Sequence, residues 1–506
     1  MRISGSTIVV FAILLVATLF LWSISPLFQG LLIHFYIGFF NWVLIGLAAS
    51  LLIWGMASSD SGSNDSGLGY LGLFGGVVIG VAATFFSLAG DGIAKSSVAS
   101  SLKPELIQSI PATQRVRFVP IEVAETLARN QQEVSQLVLG DMDPIDYKGD
   151  FLWVGPRVPN GFFNSLGSSM DGFMVVDENR KLTVVSQPFR YGEGMLFAND
   201  IRWQMIQKHY FSRYPEIFYL PVEPDGRYLG VVPYISYRFE FPVMVPYWEG
   251  VMLFHDDGTI EDLTVAQATK DPRLTNQRLF PEWLARYQAD AIAQYKHGIW
   301  NAWFQHRDQA EIPIVAHSVN QMPYLLPGNI WMIAAEPVGN SQSVSKIFLI
   351  DAHTGKMQIA EFSTERAMIS PNVGWGYAKA GTQGGYVWAE GEGGTYLLVE
   401  PRPAIKDGKL YWMYTVTVRQ ATGISLTILV GSNTEVLHFC SRESLMQWVQ
   451  GTGGTEKIPC GEQRTDSPAP TPDQGTIPST DIRKMSDQEL VDLLRQIADE
   501  LKHRHP

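Results

Sequence analysis

Four aspartates, Asp141, Asp143, Asp146 and Asp150, fall within ten residues and could supply oxygen ligands to a hard cation such as calcium. Their spacing fits no calcium-loop template, and Pro144 among them points to an exposed turn. Glu390 and Glu392, with Glu361 and Glu365 upstream, offer a carboxylate pair for glycoside hydrolysis, which needs two carboxyl groups flanking the scissile bond. Against this, loop acids are common in a chain of net charge −12. His209, His255, His297, His306, His317 and His353 are scattered; His297 and His306 stand nine apart, not the three or four that align two ligands on one helix face. The chain holds no Gly-x-Ser-x-Gly elbow, no His-Glu-x-x-His and no Walker loop. The stretch from Gly451 to Lys457 has glycines and a lysine without the phosphate-loop spacing. These residues single out no catalytic, metal or cofactor site, and a non-enzymatic role is favoured.

Cys440 and Cys460 are the only cysteines, with Gly451, Gly453 and Gly454 between them to turn the chain back. In an oxidising compartment they are expected to form a disulfide closing a loop of about 20 residues, worth roughly 3 kcal/mol. The acidic balance and the lack of a basic stripe argue against nucleic acid as a partner, since phosphate binding needs a cationic surface.

What positions these residues begins with a strongly apolar N-terminus. Apolar stretches at 6–28, 31–56 and 69–88 carry no charged side chain, and each has about the 20 residues that a bilayer-spanning helix needs. Three transmembrane helices are expected, with membrane lipid as one partner. The third carries Gly72, Gly76 and Gly80 on one face, continued by Thr84, which permits close helix approach where lipid removes the hydrophobic drive. That face suits either the neighbouring helices of the same chain or another subunit, with a protein partner or homo-oligomer slightly favoured. Arg2 favours a cytoplasmic N-terminus, placing the water-facing region outside; Lys95, Lys103 and a 58–67 loop without Lys or Arg argue the opposite. The cysteine pair and the aromatic-rich, low-charge composition favour an extracytoplasmic region of an integral membrane protein.

The fold class expected is a membrane-anchored α+β protein: three N-terminal transmembrane helices, a β-rich soluble region with interspersed helices, and a C-terminal tethered helix. The divisions are an anchor at 1–94, a connector at 95–117, α+β modules at 118–275 and 276–385, and a β-rich unit at 386–460. A Pro/Thr/Ser-rich linker follows at 461–484 and an amphipathic helix at 485–506. Helical spacing predicts helices over 120–139, 199–213 and 281–305. Strand–turn–strand patterns mark hairpins at 172–185, 251–260 and 347–359, and strands dominate 386–439 before a short helix at 441–450. The recurrence of helix plus hairpin is consistent with an internal duplication. Many aromatics, such as Tyr234, Tyr237, Phe239 and Trp248, suit sheet packing.

The hairpin IFLIDAHTGKMQIAEF at 347–362 resembles that of PepSY-type extracytoplasmic α+β modules through Asp351, Thr354, Gly355 and Lys356, with a looser copy at 251–260. The resemblance implies a binding, inhibitory or assembly module without catalytic residues.

In the tail, Ser486 and Glu489 form a capping box, and Leu490, Leu493, Leu494, Ile497 and Leu501 an apolar stripe. The stripe is expected to dock on its own domain or on a partner. The favoured function is a membrane-anchored scaffold, assembly or binding component of the cell envelope. The alternatives are a membrane-bound hydrolase of envelope polymers using a carboxylate pair, and a transmembrane sensor or regulator.

Overall fold

The computed structural model describes residues 18, 21–59 and 66–455, apart from breaks at 132–134, 168, 223–225, 317, 340–342, 363–367, 383–385, 390–393 and 420. Among the described residues, two helices are long and apolar enough to cross a membrane. Helix α1 (Gln29–Ile37) ends at Gly38, and α2 (Phe39–Ser59) runs away from the β-rich region. Helix α3 (Ser66–Ser101) returns alongside it. The 31–56 stretch is therefore two helices, not one, and hydropathy gives no sign of the break because the residues on both sides of Gly38 are equally apolar. The 6–28 stretch lies largely outside the described residues, so the first of the three expected spans does too.

Helix α3 reaches Ser101, well past the last apolar residue of its span, Leu88. At ~1.5 Å per residue it is about 54 Å long, far more than a bilayer core requires. Residues 95–101 are thus helical rather than part of a polar connector. Asp91 and Lys95 end the apolar pattern but do not disturb the backbone ladder, because Lys95 is paired to both Asp91 (2.9 Å) and Asp290 (2.8 Å).

Beyond α3, strand β1 (Glu105–Ile107) precedes a series of helix-plus-meander units. The first is α4 (Ile121–Asn130) with β2 (Leu137–Leu139), β3 (Asp143–Tyr147), β4 (Asp150–Pro159), β5 (Met170–Asp177) and β6 (Leu182–Phe189). Residues 137–139, expected to end a helix, are instead a strand paired with β4. The second unit is α5 (Ile201–Lys208) with β7 (Phe218–Val222), β8 (Arg227–Glu240), β9 (Val243–Phe254) and β10 (Ile260–Thr264). The third is α6 (Glu282–Tyr295) with β11 (Ala310–Glu311), β12 (Tyr324–Leu326), β13 (Ile330–Pro337), β14 (Ser343–Val344), β15 (Lys346–Asp351) and β16 (Met357–Glu361). After β17 (Met368–Ile369), the fourth is α7 (Pro371–Gly381) with β18 (Tyr396–Lys406), β19 (Lys409–Val418), β20 (Ile424–Gly431) and β21 (Val436–Phe439). Helix α8 (Arg442–Val449) follows.

Each unit contains a four-stranded antiparallel meander: β3–β6, β7–β10, β12–β13–β15–β16 and β18–β21. The turn between the third and fourth strands repeats. In the first unit Asp177 N–H bonds Lys181 O, Arg180 N–H bonds Asp177 O, and Arg180 has φ +63°. His255–Thr259 and Gly431–Glu435 repeat the pattern, with Gly258 (φ +91°) and Thr434 (φ +62°) at the left-handed position. The third unit has one residue more: Asp351 N–H bonds Lys356 O, and Gly355 has φ +76°. There the Asp351 carboxylate accepts from His353 and Thr354 N–H, which is why the Asp-x-x-Thr-Gly pattern makes a turn.

The sheets pack in succession. Phe173 and Phe189 of the first meet Phe218 and Phe254 of the second. Ile235 of the second joins Trp331 and Phe348 of the third, with Leu284 and Ala289 of α6. Met332 and Leu349 of the third share a core with Trp412 and Ile428 of the fourth. Met413 and Leu429 of the fourth pack on Trp153 and Met174 of the first. Four shared cores, the last joining fourth to first, close a ring in a propeller-like arrangement. Strand β1 pairs in parallel with β16 on the edge of the third sheet, so the chain leaving α3 enters the ring there.

Candidate functional site

The strongest concentration of cavity, aromatic and charged residues lies where the helical hairpin meets the ring. Helix α1 lies against the second unit. Gln29 Nε2 donates to the carbonyls of Tyr210 (3.2 Å) and Ser212 (3.0 Å), Tyr210 donates to Ser25 O (2.7 Å), and Tyr36 stacks on Phe211 at 4.5 Å. On the other side, α3 is seated by Lys95–Asp290 and by the Ser97 hydroxyl on Glu240. Val98 of α3 packs with Val245 and Ala291.

Between these contacts is a cavity of about 770 Å³ bounded by α1, the N-terminus of α5, residues 212–216 and the start of α6. Arg202, Arg213 and Arg286 face it, together with Glu216 and Glu282. Beneath lies Arg278, 2% exposed, paired to Asp143 (2.6 Å) and Glu216 (3.5 Å) and held over the Phe218 ring at 4.3 Å. Pro281 turns the chain into α6, so Glu282 is its first residue, and the Glu216 carboxylate accepts the Glu282 N–H at 2.8 Å. That is a favourable place for an anion, at the positive end of the helix dipole. Burial raises the Glu216 pKa, against the pull of Arg278. Glu282 is pushed up to about 8, first by burial and then by Glu216.

A second cavity of about 470 Å³ shares Arg213 and Trp283 with the first. Its walls are the far side of α1 (His34, Ile37, Gly38), the start of α2, the α3 segment from Phe86 to Ala94, and the β8–β9 turn. Trp283 stacks on Tyr287 at 5.0 Å. The Arg213 guanidinium lies 5.8 Å from the Tyr237 ring centre and 5.6 Å from that of Trp283.

A second buried cluster lies where the fourth unit meets the first. Glu400, with no exposed surface, is bonded by Arg117 and by Asn320 Nδ2 (2.6 Å) and accepts the Ile121 N–H (3.0 Å). Arg402 donates to Phe118 O (2.8 Å) and to the Thr415 hydroxyl. Burial, then the Glu400 charge, raises Glu122 to about 8; burial raises Glu178 to about 7 and lowers Arg402 to about 10. No described cavity opens onto Glu400 or Arg402, so this cluster reads as internal wiring.

The residues singled out from the sequence are not brought together. Asp143 goes to Arg278, Asp146 to Arg115 (3.1 Å), and Asp150 to Arg442 (3.8 Å). Among the described residues no group of three or more His, Cys, Asp or Glu could hold a metal ion. Glu361 pairs with Lys296 (3.4 Å), whereas Glu365, Glu390 and Glu392 lie outside the described residues. His209 bonds Asp262 (2.6 Å), His255 bonds Glu261 (2.5 Å), and His353 bridges the carbonyls of Gln277 and Thr269. His297 sits 3.5 Å from Asp308, His306 bonds Gln309 (2.7 Å), and His317 lies outside the described residues.

Gly72 and Gly76 face α2 of the same chain: a Cβ on Gly72 would fall 2.6 Å from the Trp54 ring, and one on Gly76 2.6 Å from Leu52. At Gly80 it would lie 4.0 Å from Ala48 Cβ. Cys440 follows β21 directly; Cys460 and the stripe of Leu490, Leu493, Leu494, Ile497 and Leu501 lie outside the described residues. Sequence reasoning missed Arg213, Glu216, Arg278 and Glu282. The available signal was an arginine and a glutamate inside the aromatic run from Arg278 to Leu284.

No known family model matches the chain, and no curated protein matches it.

Proposed function

We propose that the protein is a non-enzymatic, membrane-anchored scaffold, assembly or binding component of the cell envelope, whose β-rich ring works on the extracytoplasmic side. The observation that carries this reading is α3, which runs unbroken from an apolar segment into a salt-bridged seat in the ring. A flexible tether would let the ring tumble. A continuous helix with α1 docked beside it instead holds the ring at a fixed height and angle, as a scaffold requires.

The anchor reading is supported by the surface of the hairpin. Leu71, Phe74, Val81 and Leu88 of α3 and Ile53 of α2 are more than 60% exposed, a continuous apolar surface that lipid can solvate and water cannot. Both helices of the hairpin meet the ring at the β8–β9 turn, Phe40 of α2 on Phe241 and Ser97 of α3 on Glu240. The extracytoplasmic side rests on the low-charge, aromatic-rich composition and on a disulfide between Cys440 and Cys460, and both belong to the proposal.

Mild crosslinking in the native membrane, followed by the mass and composition of the captured species, tests the reading. A stoichiometric assembly that dissociates on deletion of 485–506 is expected. A lone monomer, unaffected by that deletion, would overturn it.

A further inference from the structure

Three arginines, Arg202, Arg213 and Arg286, face the larger junction cavity, against two acids, Glu216 and Glu282. Arg202 and Arg213 are exposed, and among the described residues no carboxylate lies within ion-pair distance of either. Arg286 is bonded to a neutral carbonyl, that of Met322. Of the two acids present, Glu216 is already engaged by Arg278 and by the α6 N-terminus, which leaves Glu282 as the one acid facing the three arginines. The cavity therefore presents a net cationic, partly walled surface.

The adjoining cavity carries fewer charges: Ile37, Phe40, Ile45 and Phe86 line it, Asp91, itself paired to Lys95, is the one carboxylate on its wall, and it opens along the start of α2 and the second half of α3. The same two helices carry the continuous exposed apolar surface. Arg213 and Trp283 stand at the border of both cavities, with α1 as a strap touching each. A cationic chamber joined through one arginine to an apolar chamber on a lipid-facing helix pair matches one kind of molecule, an amphiphile with an anionic head.

We infer that the junction binds one anionic membrane phospholipid, its phosphate on Arg213 with Arg202 and Arg286 around it and an acyl chain in the cleft between α1, α2 and α3. This rests on the membrane reading above. The continuity of the apolar chamber with the exposed face of the hairpin selects a lipid over a soluble anion. Arginine suits the head because its planar donors match phosphate oxygens. Such a lipid would mortar the ring to the bilayer at the place where α1 breaks from α2.

The test is native mass spectrometry of the full-length protein released from micelles containing equimolar phosphatidylglycerol and phosphatidylcholine. One retained phosphatidylglycerol is expected, preferred about tenfold over phosphatidylcholine. Arg213→Ala should abolish the preference; the Arg213 side chain makes only ring contacts, so the fold should persist. Gly90→Leu supplies an independent variant. Gly90 lines the apolar chamber and an added Cβ meets nothing within 4 Å, so a leucine should fill the chamber and expel either lipid without disturbing the ring. Equal retention of both lipids by the unaltered protein, or an unchanged preference in Arg213→Ala, would overturn the site. Displacement of the bound lipid by inorganic phosphate would overturn it as well, reassigning the arginines to a soluble anion. Release of the protein from membranes by alkaline carbonate would instead sink the membrane reading itself.

Discussion

The hairpin of α2 and α3 and the ring of four sheets are held together in opposite ways. In the ring, adjacent sheets meet through large buried side chains: Trp153, Trp331 and Trp412 are each about 1% exposed. Burial of apolar surface drives that packing at about 25 cal/mol per Å². In the hairpin the contacts are made by what is absent, since Gly55, Gly69, Gly72 and Gly76 let the two backbones approach until an added methyl would collide. Apolar side chains there point outward, as they must if lipid is the solvent. The difference shows that one chain can close one contact with large residues and another with small ones, as the membrane reading of the hairpin calls for.

The sharpest way to break the comparison is in the core shared by the second and third sheets. Trp331, buried with its indole N–H donating to Phe280 O at 3.2 Å, is expected to cost about 3–5 kcal/mol as Trp331→Ala. Denaturant titration followed by near-UV circular dichroism should show the loss in the ring transition. The same reading predicts that the hairpin survives it.

In the hairpin the expected cost is smaller and has the opposite origin. Gly76→Leu overpacks the α2–α3 contact and should weaken it by about 1–3 kcal/mol without moving the ring transition. The readout is a crosslink: Ala48→Cys with Gly80→Cys places two Cβ atoms at disulfide distance within one chain. The pair should link inside the monomer, and adding Gly76→Leu should lower the yield. A crosslinked dimer would show that the glycine face serves a second copy instead.

Between sheets, the buried acids give the ring a pH dependence that the hairpin lacks. Burial pushes Glu122 up to about 8 and Glu178 up to about 7 in the folded chain, above the ordinary value of 4.5. The folded state therefore binds their protons more tightly than the unfolded state. This stabilisation is complete below the ordinary value and is lost as pH rises through the folded values. The ring melting temperature should thus fall as pH is raised from about 5 to about 8, and Glu122→Gln with Glu178→Gln should reduce the slope. Glu261, held at about 2 mainly by its Arg273 hydrogen bonds, acts in the opposite sense at lower pH, outside this window.

The smallest effect is local. Asp200 caps α5 by accepting the N–H groups of Arg202 (2.6 Å) and Trp203 (3.1 Å). Asp200→Ala should cost about 1 kcal/mol, measurable as a modest shift of the ring midpoint.

Much of the local structure was legible in the residues. The turns at Asp177, Asp351 and Asp257–Gly258 announce themselves because a short acidic side chain bonds the next backbone amides, and in the last two a glycine takes the left-handed position. The strands of 396–439 and the short helix after them follow from alternation and from the Ser441 cap. Element ends were less legible: Gly38 divides a uniformly apolar run, and α3 outlasts its hydropathy because Asp290 neutralises Lys95 from another part of the chain.

By itself the sequence determined periodicity, turn chemistry and the presence of long apolar helices, because each depends on neighbours a few residues away. Only the tertiary structure decided which sheet shares a core with which. It also separated Asp143, Asp146 and Asp150 among three different arginines, and gathered Arg202, Arg213, Glu216, Glu282 and Arg286 around one cavity. The physical reason is that a charge's partner is fixed by distance in space. Arg278, 135 positions after Asp143 in the chain, meets it only once the first two sheets have folded.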